Sequence, residues 1–190
     1  FPVDALSKGA IVSGRILHLD GRDCKAALQA ARWAAQASIP IVIDIDQIYD
    51  DTTEDLLSTV NYLIAAEEFA LRVTNQTDCG KALRALSDRY GADVTGITLG
   101  SAGAVFIESK HELRSYAFKV PTVDTTGAGD VFHGAFIYGV LAGWGLEETI
   151  RFSHAVAALN CMKVGARGGI PNLEEAKQFL QSNPSPTRKG

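Results

Sequence analysis

Residues 127–130, Gly-Ala-Gly-Asp, stand directly before an apolar segment that has the character of a helix. The first N–H groups of a helix have no partner inside it, and the helix dipole places its positive end there. Small residues at such a turn let a ligand approach the backbone closely, so the turn is suited to an anion. A carboxylate at Asp130 would stand beside that anion, where it could take the proton of an attacking hydroxyl group. This pattern indicates phosphoryl transfer.

The same four residues also fit a purely structural role. A glycine-rich turn can simply start a helix, and Asp130 in the first turn would be stabilised by the helix dipole without any ligand. The physical properties of these residues leave both interpretations open.

A second glycine-rich turn, Leu99-Gly-Ser-Ala-Gly103, follows the strand-like segment DVTGITLG. In open α/β sheets, ligands bind beyond the carboxyl ends of the strands, and both glycine turns can lie at that edge. An ordinary turn at the end of a strand is the alternative for this second turn. The two turns together are the first indication of a ligand site.

Strand-like and helix-like segments alternate along the chain and provide the framework for these turns. Residues 10–21 and 39–46 are predicted to be buried strands, and the alanine-rich segment 24–38 between them a helix. This order forms a βαβ unit, which implies parallel pairing. The segments on either side of Lys110 alternate like the arms of an antiparallel hairpin. Helices are predicted at 52–60, 78–91, 127–142, 146–164 and 171–182. Residues 61–73 are predicted to form a short strand that continues into a helix.

The fold class that follows is an α/β sandwich with a mostly parallel sheet and an antiparallel edge. One domain is expected over residues 1–181, because the chain is of ordinary single-domain length. Residues 182–190 are polar and contain proline, so they are predicted to form a flexible tail.

The segment VDTTGAGDVFHGAF resembles the C-terminal signature of the ribokinase (PfkB) family of carbohydrate kinases. The segment VTGITLGSAGAVF is similar to that family's nucleotide-binding strand and turn. RFSHAVAALNCMKVGARGGIP is similar to its helix and loop beside the adenine, and HLDGRD to its middle section, closest to ketohexokinase-like members. The resemblance implies a ribokinase-like three-layer α/β/α sandwich that carries the nucleotide-binding and catalytic part of the family fold.

By this resemblance, Asp130 is the catalytic base that activates the sugar hydroxyl. The backbone of Gly127, Ala128 and Gly129 would form the anion hole, the set of N–H groups that surrounds the transferred phosphoryl group.

The resemblance also assigns residues to the nucleotide. Thr98, Gly100 and Gly103 would lie along it, with Thr98 near the phosphates, and His154 would lie beside the adenine. A core histidine whose ring bonds the backbone is the alternative for His154.

Two aspartates are assigned to other ligands. Asp124 would hold a monovalent cation such as K⁺ together with backbone oxygens of 165–169, or it would cap its own turn. Asp20 would face the sugar, or it would be a turn residue before Gly21. Mg²⁺ is expected to arrive with ATP, bound mainly by phosphates and waters.

Two departures from the family pattern qualify these expectations. The family's Asn-x-x-Glu motif is replaced by Ala66 and Phe69, which puts the Mg²⁺ ligands in doubt. Glu67 or Glu68 could substitute, and the alternative for both is a solvated helix start. The family's N-terminal portion, with most sugar-binding residues and a lid of β-strands, has no counterpart here. We therefore expect a fragment or an incomplete chain that is inefficient alone, with a homodimer formed through the lid.

The composition and net charge of the chain limit the classes of partner that it could bind. The formal net charge is −4, and Lys and Arg form no block before the end of the chain, which argues against nucleic acid or a membrane as partner. Three widely spaced cysteines, Cys24, Cys79 and Cys161, are typical of thiols in a reducing compartment, so we expect a cytoplasmic protein. The histidines show no zinc-binding spacing.

The predicted function is an ATP-dependent sugar kinase that phosphorylates a hydroxyl of a small carbohydrate. A nucleoside or phosphosugar kinase of the same fold is the first alternative. A catalytically silent module that binds nucleotide or sugar is the second, disfavoured by the presence of Asp130. Neither a G-x-G-x-x-G sequence after a strand nor a P-loop is found, which excludes dehydrogenase and P-loop interpretations.

Overall fold

A computed structural model describes residues 2–184 of the chain. Of the tail predicted at 182–190, residues 185–190 lie outside the described residues. The helices, in chain order, are α1 Lys8–Val12, α2 Cys24–Gln36, α3 Thr53–Leu57, α4 Glu67–Thr74, α5 Cys79–Tyr90, α6 Ala128–Leu141, α7 Leu146–Cys161 and α8 Leu173–Ser182. The strands are β1 Leu17–Leu19, β2 Ile41–Ile45, β3 Tyr62–Ala66, β4 Val94–Thr98, β5 Ala104–Glu108 and β6 His111–Ser115.

The six strands form one sheet in the order β1-β2-β3-β4-β5-β6. The first four are parallel, with Leu17 opposite Ile41 and Tyr62 opposite Val94. β5 and β6 are joined by two residues, Ser109 and Lys110, both with positive φ, the geometry of a tight antiparallel hairpin. The predicted mostly parallel sheet with an antiparallel edge hairpin near Lys110 is therefore confirmed.

The prediction for residues 10–21 is wrong over its first part. A single strand was expected there, but the chain forms the short helix α1 and then the three-residue strand β1. The Ser7 side chain caps α1 by accepting a hydrogen bond from the Ala10 N–H group at 3.3 Å. An isolated apolar run fits either element, and here a local cap favours the helix.

The chain divides into two compact units. The first holds the described residues up to Leu99 together with Val105–Leu113, and the second holds Gly100–Ala104 together with the described residues from Arg114 onward. Alternate strand residues of the first unit, such as Ile43 and Leu63, share a core with α2, α3 and α5. Strand residues on the opposite face of the sheet, such as Val42, are buried as well. Burial on both faces is typical of parallel sheets.

The second unit is built on helices α6, α7 and α8. Its core comprises Val131, Ala135, Phe152, Val156 and Ala176. A Cβ atom on Gly139 of α6 would lie 2.7 Å from the Thr149 side chain of α7, so only glycine permits this close approach of the two helices. The packed pair fixes both the start of α6 and the loop that follows α7. Among the described helices, none has both the length and the apolar character needed to cross a bilayer.

Candidate active site

Helix α6 begins without a side-chain cap. Its N-cap residue is Gly127, in the left-handed conformation with φ 73°. The Ala128 N–H group donates to the Thr125 carbonyl at 3.1 Å, and Val131 donates to the Gly127 carbonyl at 2.9 Å. Within residues 2–184, no protein acceptor is found for the N–H groups of Gly127, Gly129 and Asp130. Three backbone donors at the positive end of a helix are thus available to an anion.

Gly127 is required at its position for two reasons. A positive φ of this size is unfavourable for residues with a Cβ atom. A Cβ atom built on Gly127 would also lie 2.8 Å from the Ala166 Cβ atom, closer than nonbonded carbons approach. By contrast, a Cβ atom on Gly129 would meet nothing within 4 Å. The two glycines therefore differ: Gly127 sets the backbone, whereas Gly129 leaves space beside the free donors.

Asp130 is exposed in the first turn of α6. It lines a cavity of about 700 Å³ that lies between one face of α6, helices α7 and α8, and the segment 166–172. The cavity walls are largely apolar, with Tyr138, Phe152 and Leu173 among them, and Arg167 contributes a positive charge. The carboxylate thus has access to a ligand-sized space, which a purely structural helix start does not need.

Asp124 ties the loop before α6 to the loop after α7. One carboxylate oxygen accepts from the Thr126 N–H at 2.9 Å, and the other accepts from the Gly165 N–H at 2.8 Å. Hydrogen bonds from Thr126 and then from Gly165 lower the pKa of Asp124 to about 2. The Asp124 N–H also donates to the Cys161 carbonyl at 3.2 Å. Asp124 therefore caps its own turn, and the same bonds bring it to the loop that was predicted to share a cation with it.

Asn160, near the end of α7, was missed by the sequence analysis. Its side chain is fully buried, donates to the Ala166 carbonyl at 3.2 Å and accepts from the Gly169 N–H at 3.2 Å. A single asparagine inside the apolar run AVAALNCM was the available signal. A buried amide must find partners, so the residue could have been marked as one that binds a neighbouring loop.

His154 of α7 is buried, with 6% of its surface exposed, and burial lowers its pKa to about 4. Its ring lies 5.1 Å from the Phe132 ring, and its Nε2 atom has no hydrogen-bond partner among the described residues. His154 is therefore neutral at ordinary pH and is not among the residues that line the cavity beside Asp130. Its predicted contact with adenine stays a prediction.

The second glycine turn forms a short 3-10 turn, Gly100–Ala102, after the carboxyl end of β4. Thr98, the last residue of β4, donates to the Ala65 carbonyl at 3.4 Å. Gly100 has a positive φ, and a Cβ atom on buried Gly103 would collide with the Ser115 carbonyl oxygen and lie 2.7 Å from Tyr116 Cα. Packing alone thus accounts for Gly103, and a place for these residues along a nucleotide stays a prediction.

The remaining predicted acids make local contacts. Asp20 is exposed, accepts from the Arg22 N–H at 3.2 Å and approaches the Arg22 side chain at 3.9 Å, as a turn residue does. Glu67 starts α4 and accepts from the Cys79 thiol at 3.0 Å. In the part of the chain that the structure describes, no group of three or more His, Cys, Asp and Glu side chains could hold a metal ion. The sugar role of Asp20 stays a prediction.

Comparison with known proteins identifies the family. The model of the pfkB family of carbohydrate kinases matches residues 3–173. Ribokinase from Haemophilus influenzae is 34% identical over 160 residues, which cover 80% of this chain and 51% of that protein. Ribokinase from Lactococcus lactis is 40% identical over 85 residues, 45% of this chain and 28% of that protein. The chain thus spans about half, or less, of the length of these relatives.

The fold agrees with these sequence matches. The crystal structure of ribokinase from Thermotoga maritima superposes with a TM-score of 0.82 at 25% identity, over 95% of this chain and 61% of that one. The architecture described above is thus that of a known fold. The chain belongs to the pfkB family of carbohydrate kinases.

Proposed function

We propose that this chain carries the phosphoryl-transfer site of an ATP-dependent kinase that phosphorylates a hydroxyl of a small carbohydrate. The observation that carries the proposal is the start of α6, where three free N–H groups lie next to the exposed carboxylate of Asp130. Membership of a carbohydrate kinase family supports it, as do relatives named ribokinase and, at 29% identity, ATP-dependent 6-phosphofructokinase.

In this proposal, Asp130 accepts the proton of the acceptor hydroxyl. The acceptor oxygen forms a bond to the γ-phosphorus of ATP while the bond from that phosphorus to the leaving ADP oxygen breaks. Negative charge on the transferring group is stabilised by the N–H groups of Gly127, Gly129 and Asp130. The set expected from the sequence held Ala128 instead of Asp130, but the Ala128 N–H group already donates to the Thr125 carbonyl. The donors are already in place because Gly127 holds its left-handed conformation before any ligand binds.

The residues at hand fit a phosphoryl group, because the free donors are the groups that bind phosphate oxygens at helix starts. Thr98, Gly100, Gly103 and His154 are proposed to bind the rest of the nucleotide. Mg²⁺ would neutralise phosphate charge, and its ligands would come mainly from phosphates and water.

A monovalent cation is proposed beside the anion hole. Asp124 and the backbone oxygens of 165–169 fit it, because the bond from the Gly165 N–H holds that loop against the Asp124 carboxylate. Carboxylate and carbonyl oxygens are suitable ligands for such an ion, and each accepts more than one contact. Activity that depends on K⁺ in the wild type and loses that dependence in Asp124→Asn would support this part of the proposal.

A phosphosugar acceptor is the second candidate. Arg167 lines the same cavity as Asp130 and brings a positive charge that a phosphate substituent would attract. Parallel assays with ribose, fructose and fructose 6-phosphate distinguish the two acceptors. A selective loss of phosphosugar turnover in Arg167→Gln would favour this second candidate.

The cellular setting stays part of the proposal. A cytoplasmic location is proposed because the three cysteines form no disulfide among residues 2–184, and ATP-dependent metabolism and reduced thiols share that compartment. The sugar is proposed as the partner of the whole protein, and assembly into a homodimer is a prediction for solution measurements.

The experiment that tests the function replaces Asp130 by Asn in the full-length protein. Turnover should fall by about 100- to 10,000-fold, because the general base is lost. Folding and nucleotide affinity should be kept, because Asp130 is exposed. Glu148→Gln is the matched control, since Glu148 is also an exposed acid in the first turn of a helix, α7. Equal turnover of the wild type and Asp130→Asn would remove the proposed base.

A further inference from the structure

Asn160 stands out because it is polar, fully buried and bonded at both ends of its side-chain amide. The Nδ2 group donates to the Ala166 carbonyl, and the Oδ1 atom accepts from the Gly169 N–H group. These bonds hold a loop that is otherwise weakly bonded to itself, through contacts such as Gly168 N–H to Gly165 O at 3.4 Å. The shape of the loop therefore depends on Asn160.

Few side chains could take this place. Of the residues of this size, only asparagine offers both a donor and an acceptor in fixed directions. An aspartate at 160 would face the Ala166 carbonyl with a second acceptor, and alanine would leave that carbonyl and the Gly169 N–H without a partner. Unpaired backbone groups in a buried place are costly, so either change should move the loop.

The loop in turn rests on the proposed anion hole. Ala166, whose carbonyl is held by Asn160, lies directly against Gly127, since a Cβ atom there would be 2.8 Å from Ala166 Cβ and 2.9 Å from Ala166 O. Gly169 is pressed so closely on the Asn160 backbone that no side chain fits between them. A continuous set of contacts thus leads from Asn160 through Ala166 to the N-cap of α6.

We propose that Asn160 is a positioning residue, which holds the 165–169 loop against Gly127 and thereby fixes the N–H donors that would receive the transferred phosphoryl group. This inference rests on the proposed function of the α6 start. Asn160 itself contacts no substrate in this proposal and acts only through Ala166 and Gly169.

A displaced anion hole should affect the transition state more than the bound substrates. The donors matter most when charge develops on the transferring group, and small shifts in their positions are costly there. Asn160→Ala should therefore lower kcat on the order of 100-fold. The KM values for nucleotide and acceptor should change by about threefold or less. The contacts that bind the substrates equally well in the ground state and in the transition state remain in this variant.

The test measures kcat and both KM values for Asn160→Ala in the full-length protein, on samples shown to be folded by circular dichroism. Asn61→Ala is the matched control. Its amide also accepts from a backbone N–H, that of Ile41 at 3.0 Å, and donates to Asp93 at 2.9 Å, but all three residues belong to the first unit. Wild-type kcat is expected for Asn61→Ala.

A second variant guards against a failure of Asn160→Ala to fold. Ala166→Gly keeps Asn160 and its hydrogen bonds but removes the methyl group that lies against Gly127, so kcat should fall about 10-fold with little change in KM. The NMR signal of the Gly127 amide should also shift in both variants without any ligand. Wild-type kcat in either folded variant would overturn the inference.

These outcomes separate the inference from the proposed function. If the wild type transfers no phosphoryl group, the function fails, but the Gly127 amide signal still reports whether Asn160 positions the turn. If the wild type is active, Asp130→Asn is inactive and Asn160→Ala keeps its kcat, the function stands and the positioning role is wrong.

Discussion

The starts of helices α5 and α6 show opposite solutions to the same problem. In α5, the Asp78 carboxylate accepts from the Lys81 N–H at 2.9 Å and so satisfies one of the orphan donors. Helix α8 has a complete capping box, in which Asn172 and Glu175 bond each other's backbone. In α6, a left-handed glycine replaces the cap, and the donors of Gly129 and Asp130 have no acceptor among the described residues.

The difference separates stability from ligand binding. A side-chain cap typically contributes about 1 kcal/mol relative to alanine, whereas glycine, the N-cap residue of α6, is less stabilising than such a cap by only about a few tenths of a kcal/mol. Helix α6 offsets this by its close packing on α7, where Gly139 faces Thr149. Free donors beside an exposed acid are what an anion site requires, whereas at the capped starts of α5 and α8 a side chain already occupies one first-turn donor, that of Lys81 or of Glu175.

The largest effect is expected from Gly127→Ala. The new methyl group would collide with Ala166, and the residue would need an unfavourable positive φ. We expect a loss of about 1–3 kcal/mol in the free energy of unfolding and near-complete loss of turnover. Chemical denaturation and steady-state kinetics measure the two quantities.

Gly129→Ala is the matched control for that change. Its methyl group would meet no atom outside its own helix backbone and chain neighbours within 4 Å, so stability should be unchanged or higher by about 0.5–1 kcal/mol. A loss of stability in Gly129→Ala equal to that in Gly127→Ala would contradict the distinction drawn between the two glycines.

A smaller and purely structural effect is expected from Asp78→Ala at the start of α5. The loss of the cap should lower the free energy of unfolding by about 1 kcal/mol, measured by denaturant titration. Turnover per folded molecule should not change, since Asp78 is not among the residues proposed to bind substrate or nucleotide. A fall in kcat would contradict the claim that a capped helix start serves stability alone, whereas the uncapped start of α6 serves function.

The smallest effect concerns acid stability. The pKa of Asp124 is about 2 in the folded chain, compared with 3.8 for an aspartate that makes no such contacts. The hydrogen bonds of Asp124 therefore stabilise the fold above pH 3.8. That stabilisation should disappear as the pH falls from about 4 to 2. The stability difference between the wild type and Asp124→Asn should therefore shrink over this range, whereas a difference independent of pH would contradict the assigned bonds.

Much of the fold could be predicted from the sequence because its signals are local. The alanine-rich pattern of α2 and the β-branched run of β2 each favour one element, and both were found where expected. The GAGD motif likewise marks the start of α6, because glycines and a first-turn acid are adjacent in the chain. The short α1 was missed, since its cap at Ser7 lies outside the apolar run.

The site was harder to predict where it depends on distant contacts. The role of Asn160 arises from a loop six to nine residues further along, whose shape also depends on Asp124. The local pattern marks Asn160 as a lone polar residue in an apolar run, but it does not show which backbone groups the side chain bonds. An aspartate at 124 is compatible with an ordinary turn role. The apolar cavity beside Asp130 likewise results from three helices that pack together.

The most direct test of the central claim observes the free donors themselves. NMR spectra of the ¹⁵N-labelled full-length protein would be recorded with ADP, Mg²⁺ and tetrafluoroaluminate, a mimic of the phosphoryl group in transfer. The account predicts that the amide signals of Gly127, Gly129 and Asp130 shift strongly, whereas that of Lys81, occupied by its cap, stays in place. If calorimetry shows that the complex binds but the signals of these three amides do not shift, the account is contradicted.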